Sequence, residues 1–291
     1  MNYRLKATRT SVDRVLTVTH WTFVISVAAL LLGAGMSEST LAAVVVTTPG
    51  TPYTQDFNAL INTVAVGGTF VDDTTLAGWT VNSEEMDTNS DEYFANTGSS
   101  NGGEVYSYGD AGAADRALGY LGSTGNDYFN AVLILTNNTG AAIDEIVVSY
   151  VGEQWRSGGN TGNNNVLQFA WQVASSISVP ASTSTTGWTV VNALEFAAPQ
   201  KTVAAGALDG NAAANQTAFS NINVQGLSWA NGDSLAIRWI GNDGSGSDAG
   251  LAIDDVSVTP VPEPSSLTLA GMGLAAAGWA ARRRRVLTGR K

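Results

Sequence analysis

The chain has 291 residues, no cysteine and a single histidine, His20. Without cysteine there is no disulfide and no thiolate nucleophile, and a domain of ordinary size builds its core without either. With the one imidazole near the N-terminus, the centre of the chain excludes Ser-His-Asp and Cys-His catalysis and the common zinc sites. Basic residues are nearly missing there as well. Residues 44–260 carry 22 acids and only four bases (Arg116, Arg156, Lys201 and Arg238), a net charge of −18, which the whole-chain value of −11 understates. Such a surface repels nucleic acid and anionic lipid and favours cations, so nucleic acid is not expected as a partner. No helical period of 3.6 is sustained, and no internal repeat of fixed length occurs.

What is present reads as strands and turns. Short apolar runs are punctuated by Asn, Ser, Thr and 32 glycines. Phe169, Trp171 and Val173 share one face of a strand, and Ile146, Val148 and Tyr150 share one face of a longer strand over Ile143 to Arg156. Ala131 to Leu135 is apolar throughout, as in a strand covered on both sides, and Asn137-Asn138-Thr139-Gly140 turns it toward Ile143. Leu227 to Ala230, Asn231-Gly232-Asp233 and Ser234 to Ile240 predict a hairpin, with Leu235, Ile237 and Trp239 inward. Along Gly250 to Thr259 the alternation slips at Asp254-Asp255, which predicts a bulge or a change of partner. The acid-rich stretch Thr80 to Thr97 reads as a long loop. About ten short strands with glycine-rich turns give an all-β fold, an antiparallel sandwich of jelly-roll type over 44–260.

The two ends carry the positive charge. Arg4, Lys6, Arg9 and Arg14 precede an uncharged run of 16 residues, Trp21 to Met36, and small residues at Thr40-Leu41-Ala42-Ala43. This predicts a signal helix within a signal peptide over 1–43, an uncleaved anchor being the alternative. At the other end, over 261–291, Pro262-Glu263-Pro264 leads into 15 uncharged residues, Leu267 to Ala281, and then Arg282, Arg283, Arg284 and Arg285. The apolar run is short for a transmembrane helix, which needs about 20 residues, and the arginines hold its C-terminal end in the cytoplasm. Pro-Glu-Pro, a short span and an arginine cluster, in that order, resemble the PEP-CTERM sorting signal. The resemblance implies an exosortase-type processing enzyme as partner, removal of the tail during export, and a cell-envelope, cell-surface or extracellular-matrix destination. Membrane contact is then confined to the signal peptide and the tail before processing.

Tyr53-Thr54-Gln55-Asp56-Phe57 and the ending Ile253-Asp254-Asp255-Val256 resemble the first and last strands of carbohydrate-binding-module and MAM-like jelly rolls. Gly152 to Arg156 and Asp115 to Gly119 are similar to words in surface proteins bearing the same C-terminal signal. The first likeness implies that the chain ends pair and share a structural cation. Calcium takes six to eight oxygens in flexible geometry. Asp254 and Asp56 are its first candidates, with Asp243 and Asp248 from the run Asn242 to Asp248 behind them. The alternative is that these side chains bond only to local backbone amides.

Two further chemistries have candidates. Glu153, Gln154, Trp155 and Arg156 combine an aromatic face with polar groups, as glycan recognition requires, although tryptophans in a sandwich also make core. Glu84, Glu85, Asp87, Asp91, Glu92 and Glu153 contain enough carboxylates for an acid–base pair, but nothing in the sequence sets any two at a working separation. The reading is thus an exported, non-catalytic surface or matrix protein associated with exopolysaccharide. A carboxylate-based glycan hydrolase or lyase is the alternative.

Overall fold

Alternating β-branched and aromatic residues, broken by Gly, Asn and Asp turns, fold as that pattern dictates. The computed structural model describes residues 43–88, 91–159 and 165–262. The signal helix up to Ala42, the C-terminal helix, Glu263, Pro264 and the four arginines lie outside the described residues. Among those described, no helix is long and apolar enough to cross a membrane.

The strands are β1 (Val44–Val46), β2 (Tyr53–Gln55), β3 (Gly67–Thr69) and β4 (Trp79–Ser83), followed by one helical turn, α1 (Glu84–Thr88). Next come β5 (Glu92–Asn96), β6 (Val105–Tyr108), β7 (Ala117–Tyr120), β8 (Tyr128–Asn137), β9 (Ile143–Ser157) and β10 (Val166–Ala174). The last six are β11 (Thr189–Val190), β12 (Phe196–Ala197), β13 (Gly206–Ala207), β14 (Gln216–Trp229), β15 (Ser234–Asn242) and β16 (Gly250–Val261). They form a seven-stranded sheet, β1-β8-β15-β10-β11 with β4 beside β8 and β12 beside β10, and a nine-stranded sheet, β13-β9-β16-β7-β6-β5-β3 with β14 beside β9 and β2 beside β16. The long strands β8, β9, β10, β14, β15 and β16 alternate between the two sheets, which is jelly-roll connectivity. Pairing is antiparallel except for β1 with β8 and β5 with β6.

The inner faces make the core. Leu133, Leu135, Phe169, Leu235 and Ile237 belong to one buried cluster with Ile146, Val148, Tyr150, Ile253, Val256 and Val258. Trp239 sits at its centre, stacked on Trp79 at 5.7 Å and edge-on to Phe169 and Tyr150 at 5.3 and 5.5 Å. Each such ring stabilises the fold by about 1.5–3 kcal/mol through burial alone. The bulge at Asp254-Asp255 is present: the register with β9 slips between Asp254 and Ser257, and Asp255 takes φ 49°. The chain ends also pair, with Val256 opposite Gln55 and Val258 opposite Tyr53.

Two expectations are corrected. Asn231-Gly232-Asp233 does not close a hairpin, because β14 pairs with β9 in one sheet while β15 pairs with β8 and β10 in the other. The turn is a crossover, zipped to the neighbouring crossover after β8 by Asn137 Nδ2 donating to Trp229 O and Gly140 N donating to Asn231 Oδ1. Nor is Thr80 to Thr97 a loop. It carries β4, α1 and β5, anchored by the buried side chains of Val81, Met86, Tyr93 and Ala95. Its acids serve local structure: Glu84 Oε2 accepts the Asp127 amide at 2.9 Å, and Asp87 accepts the Tyr128 hydroxyl.

Candidate functional site

Strand β9 delivers Glu153, Gln154, Trp155 and Arg156 in succession, and the fold sends them to different places. Gln154 clasps a neighbouring loop, its Oε1 accepting the Gln200 amide at 2.7 Å while Nε2 donates to Gln200 O at 3.0 Å. Trp155 lies on the outer face of the nine-stranded sheet, stacked on Tyr108 at 6.1 Å with the rings 4° from parallel. It is only 1 % exposed. The segment around β13 covers it so closely that a Cβ on Gly210 would stand 2.2 Å from the indole. An exposed aromatic platform at Trp155 is therefore corrected to a buried packing role. Trp79, Trp171, Trp229 and Trp239 are buried too, leaving Trp188 as the one partly exposed tryptophan among the described residues.

Glu153 shares the covered face. Its Oε2 accepts Trp155 Nε1 at 2.8 Å and its Oε1 accepts Gln216 Nε2 at 3.0 Å. Burial raises its pKa to about 7 against the opposing pull of the Trp155 hydrogen bond. Asp254 lies close by, 6 % exposed, with its pKa raised to about 8 by burial, offset in part by the Asp255 amide and reinforced by the charge of Glu153. The Asp255 amide donates to Asp254 Oδ1 at 2.7 Å.

Arg156 ends up elsewhere. Its Nη1 donates to Gly98 O at 3.0 Å, and it lines a polar cleft of about 460 Å³ at one end of the sandwich. The opposite wall is the β15–β16 loop with Asp243 and Asp248, and Asn101 and Ser123 complete the rim. Arg156, the last residue of the Glu153–Arg156 word, thus meets Asp243 to Asp248 of the Asn242–Asp248 run in one cleft. Asp248 is buried, and its Oδ2 accepts the Gly244 amide at 3.0 Å, so the loop closes partly on its own backbone. The cleft is within the size range of small-ligand pockets and offers donors and acceptors of both charges.

The four candidate calcium ligands do not converge. Asp243 and Asp248 line the polar cleft, and Asp254 is under the outer face beside Glu153. Asp56 instead shares a smaller cleft of about 230 Å³ with Asp255, because the bulge exposes Asp255 and buries Asp254. Among the described residues no three acidic or histidine side chains gather as a metal site. Two carboxylates give fewer oxygens than the six to eight calcium takes, so a site at Asp243 with Asp248, or at Asp56 with Asp255, would need backbone carbonyls or water to complete it.

A second cavity, of about 400 Å³, was not anticipated. Phe94, Tyr106 and Glu104 line it together with Val64 and Ala65. It adjoins the first, since the loop that gives Asn101 to the polar cleft gives Ser99, Ser100 and Gly102 to this one. The signal for it lay in the two-residue spacing of Glu104, Tyr106 and Tyr108, which sets all three on one face of β6 and its approach.

Comparison with known proteins adds the following. Residues 260–285 match the PEP-CTERM protein-sorting motif. The motif marks the chain as an exported protein of the cell envelope or surface, and it begins at the last residues of β16. No curated protein matches the chain. Similar solved structures include the TmCBM61 module in complex with β-1,4-galactotriose, at TM-score 0.29 and 10 % identity over 62 % of this chain and 88 % of that one. The CBM22-1 xylan-binding domain of Paenibacillus barcinonensis Xyn10C gives TM-score 0.33 and 10 % identity over 75 % of this chain and 99 % of that one. The Cry4Aa toxin from Bacillus thuringiensis gives 0.30 and 10 % over 55 % and 21 %. Scores of this size carry no argument about ligand, and the sandwich stands on its own strand pairing.

Proposed function

We propose that the protein is exported through its C-terminal signal and then holds polysaccharide at the cell surface or in the extracellular matrix without cleaving it. The observation that carries this is the polar cleft between Arg156 and the Asp243–Asp248 loop, in a chain whose sorting motif marks it for the cell envelope or surface. A guanidinium, carboxylates, amides and hydroxyls around one cleft answer the many hydroxyls of a sugar chain. Glu153 is a poor acid or base for the alternative, hydrolase reading, because both its oxygens already accept hydrogen bonds and at 2 % exposure it is shut off from substrate. The experiment is a glycan array with the native exported protein, run beside an assay for newly formed reducing ends. Binding that persists over hours without reducing ends, and that weakens in Arg156→Ala, is the expected result. Release of reducing ends would replace this reading by the hydrolase; a blank array would remove glycan binding altogether.

An exosortase-type enzyme is the processing partner in this proposal, acting at Pro262-Glu263-Pro264. Intact-mass measurement of surface-located protein should find the segment from Leu267 to Lys291 gone. Replacing Arg282, Arg283, Arg284 and Arg285 with glutamine should leave the precursor in the inner membrane. Surface material that still carries the arginines contradicts the proposal.

A further inference from the structure

The cavity beside the polar cleft has the chemistry of a more particular ligand. Phe94 on β5 and Tyr106 on β6 are neighbours in the sheet and form its aromatic side. The Phe94 ring lies so close over Gly67 that a Cβ there would stand 2.8 Å from its Cε1, so the backbone beneath fixes the ring. Tyr106 is held by its hydroxyl, which donates to Gly102 O at 2.8 Å and lies 3.0 Å from Ser100 Oγ. Val64 and Ala65 supply an apolar wall. Tyr106 is only 2 % exposed, so the half-buried Phe94 presents the aromatic face, and with the Val64–Ala65 wall it suits the C–H face of a pyranose ring.

The polar member is Glu104. Its carboxyl is half-buried, and among the described residues no donor reaches it and no basic side chain acts on it. Burial pushes its pKa up to about 7, and the charges of Glu85 and then Glu92 push in the same direction. A neutral sugar hydroxyl would give this carboxyl one hydrogen bond and leave the repulsion in place. An ammonium group would give a charge-assisted bond, neutralise the local excess and lie within reach of an aromatic face.

We propose that this cavity is a subsite for a protonated amino sugar, so that the polysaccharide held by the protein contains hexosamine units with free amines. This rests on the glycan-binding reading and narrows it. Asn101 faces the polar cleft while Ser100 and Gly102 face the aromatic cavity, so one loop forms the wall between the two subsites.

The test is titration calorimetry of the full-length protein at pH 7, where about half of Glu104 is ionised, with three β-1,4-linked tetramers: of glucosamine, of N-acetylglucosamine and of glucose. The glucosamine tetramer should bind about tenfold more tightly than the other two, and the advantage should shrink as salt screens the carboxylate. Glu104→Gln keeps the shape and should abolish the advantage. Phe94→Leu should weaken all three tetramers, with a melting temperature within a few degrees of the parent as the check on folding. Equal binding of the three tetramers, or a preference for glucosamine that survives Glu104→Gln, overturns the amino-sugar subsite while leaving glycan binding intact. Binding to no tetramer and to nothing on the array overturns both.

Discussion

The outer faces of the two sheets are each roofed by a long connection, yet they hide opposite charges. On the seven-stranded sheet, Arg238 of β15 lies under the 177–188 segment, fully buried. Its Nη1 donates to Asn130 Oδ1 at 3.1 Å, its Nη2 donates to Ser184 O, and its guanidinium carbon is 4.2 Å from the centroid of Trp188. Burial alone lowers its pKa, to about 10. On the nine-stranded sheet, Glu153 accepts from Trp155, which stacks on Tyr108, and Asp254 feels the Glu153 charge. Among the described residues neither face pairs its buried charge with an opposite one, and the partners are polar and aromatic neighbours. The cation keeps its charge throughout ordinary pH, whereas the carboxyls are hidden largely by taking up protons. One face is therefore blind to pH and the other is sensitive to it.

The largest effect should come from removing the acidic face's roof contact. Trp155→Ala empties a site between Tyr108 and Gly210 and strips a donor from a buried carboxyl. A loss of about 4 kcal/mol is expected, a fall in melting temperature on the order of 10 °C by circular dichroism. A fall of under 3 °C would mean that this face is not core.

The next effect is the pH profile. In the folded protein Glu153 and Asp254 hold their protons more tightly than in the unfolded chain, where carboxyls titrate at about 4. Their contribution to stability is whole below that value and is lost as pH rises through about 7 for Glu153 and about 8 for Asp254. The melting temperature should therefore decline between pH 5 and pH 9. Asp254→Asn keeps the acceptor for the Asp255 amide without the charge, so it should flatten the decline and raise stability at pH 9 by about 2 kcal/mol. A variant that follows the parent's slope would place the pH sensitivity elsewhere.

The same contrast explains what the sequence could and could not disclose. Inner faces repeat every second residue, so Leu235, Ile237 and Trp239 were legible, as were β9 almost to its last residue and the slip at Asp254-Asp255. Pairing of the 53–57 strand with the last strand was legible from its resemblance. Outer faces are different, because their covers come from far along the chain. Nothing near Trp155 announces Gly210, and so an indole flanked by polar residues read as a platform. Asn231-Gly232 has the local chemistry of a hairpin, but β14 and β15 each find stronger partners in opposite sheets. In Thr80 to Thr97 the acids masked four buried apolar side chains, Val81, Met86, Tyr93 and Ala95. The polar cleft was half legible, since each wall stood out as a sequence word while their meeting depends on tertiary structure. Phe94 and Glu104 went unremarked because neither sits in a word of conspicuous chemistry.

The smallest effect belongs to the cationic face. Trp188 is partly exposed, and its ring contributes packing against the outer-face residues Val132, Ile134 and Ala236 together with attraction for the Arg238 guanidinium. A partly solvated cation–π contact contributes about 1 kcal/mol. Arg238 would keep its bonds to Asn130 and Ser184 after Trp188→Ala, so no charge is left without partners. The melting temperature should drop by about 4 °C, far less than for Trp155→Ala. The slope between pH 5 and pH 9 should not change, because Arg238 stays protonated across that window. Repeating Trp188→Ala in an Arg238→Met background isolates the pairwise part, which should be about 1 kcal/mol. If the tryptophan change costs the same with and without the arginine, the ring acts by packing alone, and this face holds its buried charge by hydrogen bonds only.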